Sequence, residues 1–189
     1  MLSSPLLRDC FPFYIHKDVD QVLLFLSKRE IHFQYDTLKR ISLSEQYLGL
    51  LRRVYINSSV SYDLINLPLS QRKILWCIFT RHHDGFIRQY VLETLLKYPL
   101  EYFMMPFIFQ LLGEYVQEIL QVIECSMHQH NLHLFKQFIL ENPTYFQTLK
   151  RRIISYWNEY YRHQYPHFED YIGAKALNKL NKTLVDHPM

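Results

Sequence analysis

Glycine is scarce in this chain of 189 residues: Gly49, Gly85, Gly113 and Gly173 are the only four. Phosphate-binding loops and dinucleotide fingerprints need clustered glycines for close backbone approach, so both are excluded. Long apolar runs are also missing. The best stretch, residues 102–112, is interrupted by Pro106 and Gln110. It falls well short of the ~20 residues that a membrane-spanning helix needs, and no membrane partner is expected. Charge of one sign is lacking too: 21 Lys and Arg face 18 Asp and Glu, for a net +3. A dedicated nucleic-acid binder carries a stronger bias or a clear basic stripe. Cysteine is limited to Cys10, Cys77 and Cys125. An odd number without framework spacing suits a reducing compartment. Arg8 and Asp9 break the first apolar run too early for a signal peptide. The reading is therefore a cytoplasmic protein.

What is present is apolar and aromatic. Hydrophobic residues make up 49% of the chain, enough for a folded core, and there are 15 Tyr and 13 Phe. Tyrosine buries a ring while keeping its hydroxyl wet, which suits grooves and interfaces. Strand signals are nearly absent, whereas apolar residues at helical spacing recur throughout. Asp18 precedes Val22, Phe25 and Leu26. Ser44 precedes Tyr47, Leu48, Leu51, Val54 and Tyr55, which predicts a second helix. Pro68 and Ser70 open a third on Ile74, Leu75, Ile78 and Phe79.

His83-Asp84-Gly85 forms a turn, with Asp84 placed to cap a helix that carries Ile87, Val91 and Leu95. Tyr98-Pro99 ends that helix. The next run starts near Pro106 or kinks there, because a proline inside a helix costs ~3 kcal/mol. Further apolar faces run through Val116, Ile119, Leu120, Ile123 and Met127, and then through residues 131–140. Residues 144–164 are long, aromatic and basic; their buried face is Phe146, Leu149, Ile153, Tyr156 or Trp157, and Tyr160. A last amphipathic helix holds Tyr171, Ala174, Leu177 and Leu184. No linker or low-complexity stretch divides the chain, which reads as one domain over residues 1–189.

Two segments align on each other. Gly85-Phe86-Ile87-Arg88-Gln89-Tyr90-Val91 is similar to Gly113-Glu114-Tyr115-Val116-Gln117-Glu118-Ile119-Leu120, and Ile87 to Val116 and Val91 to Leu120 keep one spacing. With a proline-bearing first helix at Pro106 and acidic turn residues Asp84 and Glu114, residues 70–127 resemble HEAT repeats. The Val-Arg pair of that pattern is Ile87-Arg88 here and Val116-Gln117 in the second unit, and its small residue is replaced by Val91 and Leu120. The resemblance implies an all-α fold: a short right-handed superhelix of stacked antiparallel helical hairpins. It also implies a non-catalytic scaffold or adaptor that holds another protein on a concave face, with Arg88 and Gln117 near the inner edge.

Three other constellations carry candidate chemistry. Lys150-Arg151-Arg152, with Arg52-Arg53, Arg162 and His163, is the best basic set. Interleaved Tyr156, Trp157, Tyr160 and Tyr161 offer stacking surfaces for single-stranded bases. Arg151, Arg152, Trp157, Tyr161 and Arg162 are thus the partner-binding candidates of segment 150–163. Against this stands a solvated face over an aromatic core.

His83-Asp84, with His32 and Asp170 as distant partners, would suit a metal phosphohydrolase of the HD type. Gly85 directly after the pair favours a plain turn. Cys125, His128, His130 and His133 are spaced tightly enough for zinc, but on one helix His128 and His130 would point ~200° apart. No catalytic residue, cofactor, metal or small-molecule substrate is expected.

Overall fold

The computed structural model describes residues 7–28, 33–35, 38–56 and 67–185. The protein is mostly helical, with eight α-helices among the described residues. None of them is long and apolar enough to cross a membrane. The chain folds as two compact units, residues 1–98 and 99–189.

In the first unit, helix α1 (His16–Ser27) buries Val19, Val22 and Leu26. Asp18, expected as the cap, instead sits in the first turn, three residues after the N-cap Ile15, and its Oδ1 accepts a hydrogen bond from Gln71 Nε2 at 3.0 Å. Four short strands follow: β1 (Phe33–Tyr35), β2 (Leu38–Leu43), β3 (Gln46–Leu51) and β4 (Val54–Ile56). β2 pairs antiparallel with β3, and β1 with β4.

These strands correct the helix expected after Ser44. Ser44 and Glu45 both adopt positive φ, 49° and 65°, and form the two-residue loop of a β-hairpin. Left-handed backbone at both central positions matches the twist of paired strands, so the hairpin closes although neither residue is glycine. Ile41, Leu43, Leu48 and Leu50 are buried while Arg40 and Tyr47 face outward, an alternation of period two. On the outer face the Arg40 guanidinium lies 4.0 Å from the Tyr47 ring centre. The Leu48–Leu51 spacing mimicked a helical face, and the turn lacked an Asn-Gly signature.

Helices α2 (Leu69–Phe79) and α3 (Gly85–Leu95) complete this unit and pack on each other. Pro68 precedes the first turn of α2, where its missing N–H costs no helical bond. Asp84 caps α3 as expected: its Oδ1 accepts from the Phe86 amide at 2.8 Å.

The second unit is helical throughout its described residues. It comprises α4 (Met105–Leu112), α5 (Gln117–Ser126), α6 (Leu132–Glu141), α7 (Pro143–Tyr156) and α8 (Ile172–Val185). Pro106 falls in the first turn of α4, so the helix starts there instead of kinking. Every residue of α4 is buried, the mark of a helix surrounded by others. α5 and α6 pack against it, and α8 packs on α5, α6 and α7. Gly113 ends α4 where a Cβ would stand 2.9 Å from a Leu149 methyl and 3.8 Å from Arg152 Cδ. The bare backbone therefore lets the α4–α5 turn sit close against α7.

The repeat alignment separates into two burial classes. Val91 and Leu120 are buried, whereas Ile87 and Val116 are half-buried. The two latter residues are thus not full core positions. Val116 stands at the N-cap of α5, outside the helix, and Ile87 lies in the first turn of α3.

Candidate functional site

The most distinctive surface of the second unit lies where α7 ends. Its last turn passes into a π-helical turn, Trp157–Tyr161. The extra residue per turn shifts the phase of the helix, and such turns are frequent at functional sites. The shift spreads an aromatic cluster over three segments: the 113–116 turn, the π turn, and residues 165–171.

Each ring is held by a named contact. The Tyr161 hydroxyl donates to the Tyr115 carbonyl at 2.5 Å, and its ring stacks on Tyr171 with centroids 5.1 Å apart. Trp157 Nε1 donates to the Tyr165 carbonyl at 2.9 Å, and its ring meets the edge of Phe168 at 5.2 Å. Gln117 Nε2 donates to the Tyr165 hydroxyl at 2.8 Å. Beneath them Tyr171 is fully buried. A Cβ on Gly173 would come within 2.5 Å of the Tyr171 ring and 2.8 Å of Ile153, so only glycine lets α8 approach this closely. Burial raises the Tyr171 phenol well above its ordinary range, with Tyr161 and Tyr165 adding to the effect. Burial also raises that of Tyr161. Both hydroxyls stay neutral at ordinary pH, which suits the donor role of Tyr161.

On this anchored base, two rings face solvent. Tyr115 is 52% exposed and Tyr160 59%, with ring centroids 5.7 Å apart. Half-buried Tyr156 lies 6.0 Å from Tyr115 and 6.1 Å from Tyr160. The expected burial of Tyr160 is thus corrected: the π turn carries it out of the face that Phe146, Leu149 and Ile153 bury.

The cations of segment 150–163 have separate settings. The Lys150 ammonium sits over the Phe146 ring at 4.5 Å and the Arg162 guanidinium 5.8 Å from Trp157. Arg162 also donates to Asn158 Oδ1 at 3.1 Å. Arg151 and His163 are exposed and Arg152 half-buried. Arg52 and Arg53 belong to the first unit, where Arg53 donates to the Arg52 carbonyl.

The remaining sequence candidates have local duties. Arg88 is buried, and its Nη1 donates to the carbonyls of His82 at 2.8 Å and His83 at 2.9 Å. It fastens the turn before α3. In that turn His82 Nδ1 accepts from the Asp84 amide at 3.0 Å, and the His83 ring stacks on His82 and on Tyr55. Asp84 commits its Oδ1 to the cap. Of the distant partners, Asp170 belongs to the second unit and His32 lies outside the described residues. Among the described residues, no three His, Cys, Asp or Glu side chains are arranged to hold a metal ion.

Burial lowers the His82 imidazole from its ordinary 6.5 to about 4, with the neighbouring His83 and Arg88 charges acting in the same direction. The folded state therefore holds His82 neutral, while the unfolded chain takes up a proton below pH 6.5. The contribution of neutral His82 to stability is complete above that pH and is lost as pH falls towards 4. Urea midpoints measured across this window are expected to fall for the wild type and to fall less for His82→Asn, which keeps an acceptor but cannot titrate.

The sequence missed the exposed Tyr115–Tyr160 pair. The signal it offered was Tyr115 beside Gly113, a turn position, and turns lie on the surface. No family model, curated protein or solved structure matches this chain.

Proposed function

We propose that this chain is a non-catalytic protein-binding module, built from HEAT-like helical hairpins, that engages its partner through the tyrosine platform of the second unit. The observation that carries the reading is the exposed Tyr115–Tyr160 pair on an anchored aromatic base. Interface cores are enriched in Tyr, Trp and Arg. A ring already held in place loses little conformational freedom on binding, so its contact area converts efficiently into affinity. The hairpin reading draws support from consecutive helices that pack on each other across short turns: α2 on α3, α4 on α5, α6 on α7. Arg88 and Gln117 support the fold of their turns, which leaves Tyr115, Tyr160, Trp157 and Arg162 as the residues that meet the partner.

A second reading, single-stranded nucleic acid, is favoured by the same rings beside Arg151, Arg152 and Arg162. Charge ranks it lower. Exposed Glu118, Glu159, Glu169 and Asp170 offset the cations around the platform, and salt screens surface charges over ~8 Å. In nuclease-treated lysate, a photo-crosslinker at Tyr160 is expected to capture a protein at stoichiometric yield. The double variant Tyr115→Ala, Tyr160→Ala, with a crosslinker at neighbouring Asn158, is expected to lower capture by about thirtyfold, equivalent to the ~2 kcal/mol that marks interface anchors. Submicromolar oligonucleotide binding at about 150 mM salt, abolished by Arg151→Glu with Arg152→Glu, would instead establish the nucleic-acid reading.

A further inference from the structure

A groove of about 1090 Å³ opens elsewhere on the second unit, between the α5–α6 connection and α8. His128, His130 and His133 line it together with Lys136, Lys179 and Lys182, and among the described residues no acidic side chain lines it. The histidines were expected to diverge around one helix. All three nonetheless line the groove, because α5 ends at Ser126 and residues 127–131 leave the helical path.

The turn is built to stay in place. Asn131 precedes α6, but its carboxamide points backwards: Oδ1 accepts from the His128 amide at 3.0 Å and Nδ2 donates to the Ser126 carbonyl at 2.8 Å. The N-terminus of α6, which enters the groove at Leu132 and His133, has no side-chain cap; the Leu132 and Leu134 amides there donate to the carbonyls of His128 at 3.1 Å and Asn131 at 3.0 Å. On the opposite wall Lys179 is fixed by Glu124, its Nζ 2.7 Å from Oε1 and 3.0 Å from the carbonyl. Glu124 thereby neutralises Lys179. Lys182, His128, His130 and His133 line the open side, where solvent reaches them. Buried Met127 and half-buried Leu132 provide an apolar floor.

We infer that this groove binds a small phosphate ester, its phosphate seated among His128, His130, His133 and Lys182 and its organic body on Met127 and Leu132. An imidazole offers at least one N–H donor in either protonation state and an ammonium offers three. A phosphate presents several acceptor oxygens that such side-chain donors satisfy. The groove's size suits an organic ligand of metabolite dimensions. This site is independent of the tyrosine platform and stands or falls apart from it.

The test is calorimetric titration with pyrophosphate and with ATP, in buffer containing a metal chelator. Both are expected to bind one to one, ATP more tightly because it adds a body for the apolar floor. Lys182→Glu with His130→Glu, both at solvent-accessible positions, is expected to weaken pyrophosphate binding about a hundredfold, about tenfold for each charge-assisted hydrogen bond removed. Arg151→Glu with Arg162→Glu, neither among the groove's lining residues, is expected to leave binding within about twofold, since salt screens exposed charges. Three results would overturn the inference: no heat from either ligand, equal weakening by the two double variants, or ATP binding without pyrophosphate binding.

Discussion

Phe109→Ala is expected to destabilise the second unit by ~3–5 kcal/mol. Phe109 is 0% exposed, on a helix whose every residue is buried. Its ring meets Phe138 at 4.6 Å, Phe135 at 5.6 Å and Phe146 at 6.4 Å, so it joins α4 to both α6 and α7. Truncation removes the transfer free energy of a ring and leaves a cavity that three neighbouring rings cannot fill without leaving their rotamers. Urea unfolding followed by far-ultraviolet circular dichroism measures the destabilisation. A value under ~1 kcal/mol, the scale of a surface change, would show that these rings do not pack as described.

Leu120→Ala is expected to cost ~2–5 kcal/mol and Val116→Ala less than ~1 kcal/mol. Both residues belong to the internal alignment, and they differ in burial. Leu120 is 0% exposed on the inner face of α5, whereas Val116 is half-buried at the N-cap. The contrast between the two variants, read from the same denaturation curves, tests the register of the helix directly. Equal destabilisation would place Val116 in the core and shift α5 by about a turn.

Much of the helical layout was legible because local chemistry and packing agree there. Asp84 caps α3, Pro106 begins α4, and α3 ends ahead of Tyr98-Pro99. Phe146, Leu149 and Ile153 are buried at the expected helical spacing. The hairpin was not legible. Leu48 and Leu51 fit a helical period as well as a strand period, and only pairing with Ile41 and Leu38 across the hairpin decides between them. Propensity gave way to a tertiary partner.

The sites diverged for a similar reason. That three histidines line one groove depends on where α5 stops, and helix ends are the least legible part of a helix. The exposure of Tyr160 depends on a π turn, which no periodicity announces. Arg88 read as a residue near the inner edge of a concave face, yet two carbonyls in its own turn receive its guanidinium.

The sequence holds two tryptophans, and each compact unit contains one of them. Trp76 is almost fully buried in the first unit and stacks on Tyr98 at 5.4 Å. Trp157 is half-buried in the second unit, with its indole N–H bonded to a backbone carbonyl and the Phe168 ring against it. The protein thus carries an intrinsic fluorophore in each half, in environments of different polarity. Replacing either indole by phenylalanine leaves a single emitter, so the melting of each unit becomes visible on its own. In the variant that keeps Trp157, energy passed from Tyr161 and Tyr165 to that indole turns its emission into an optical gauge of the aromatic platform.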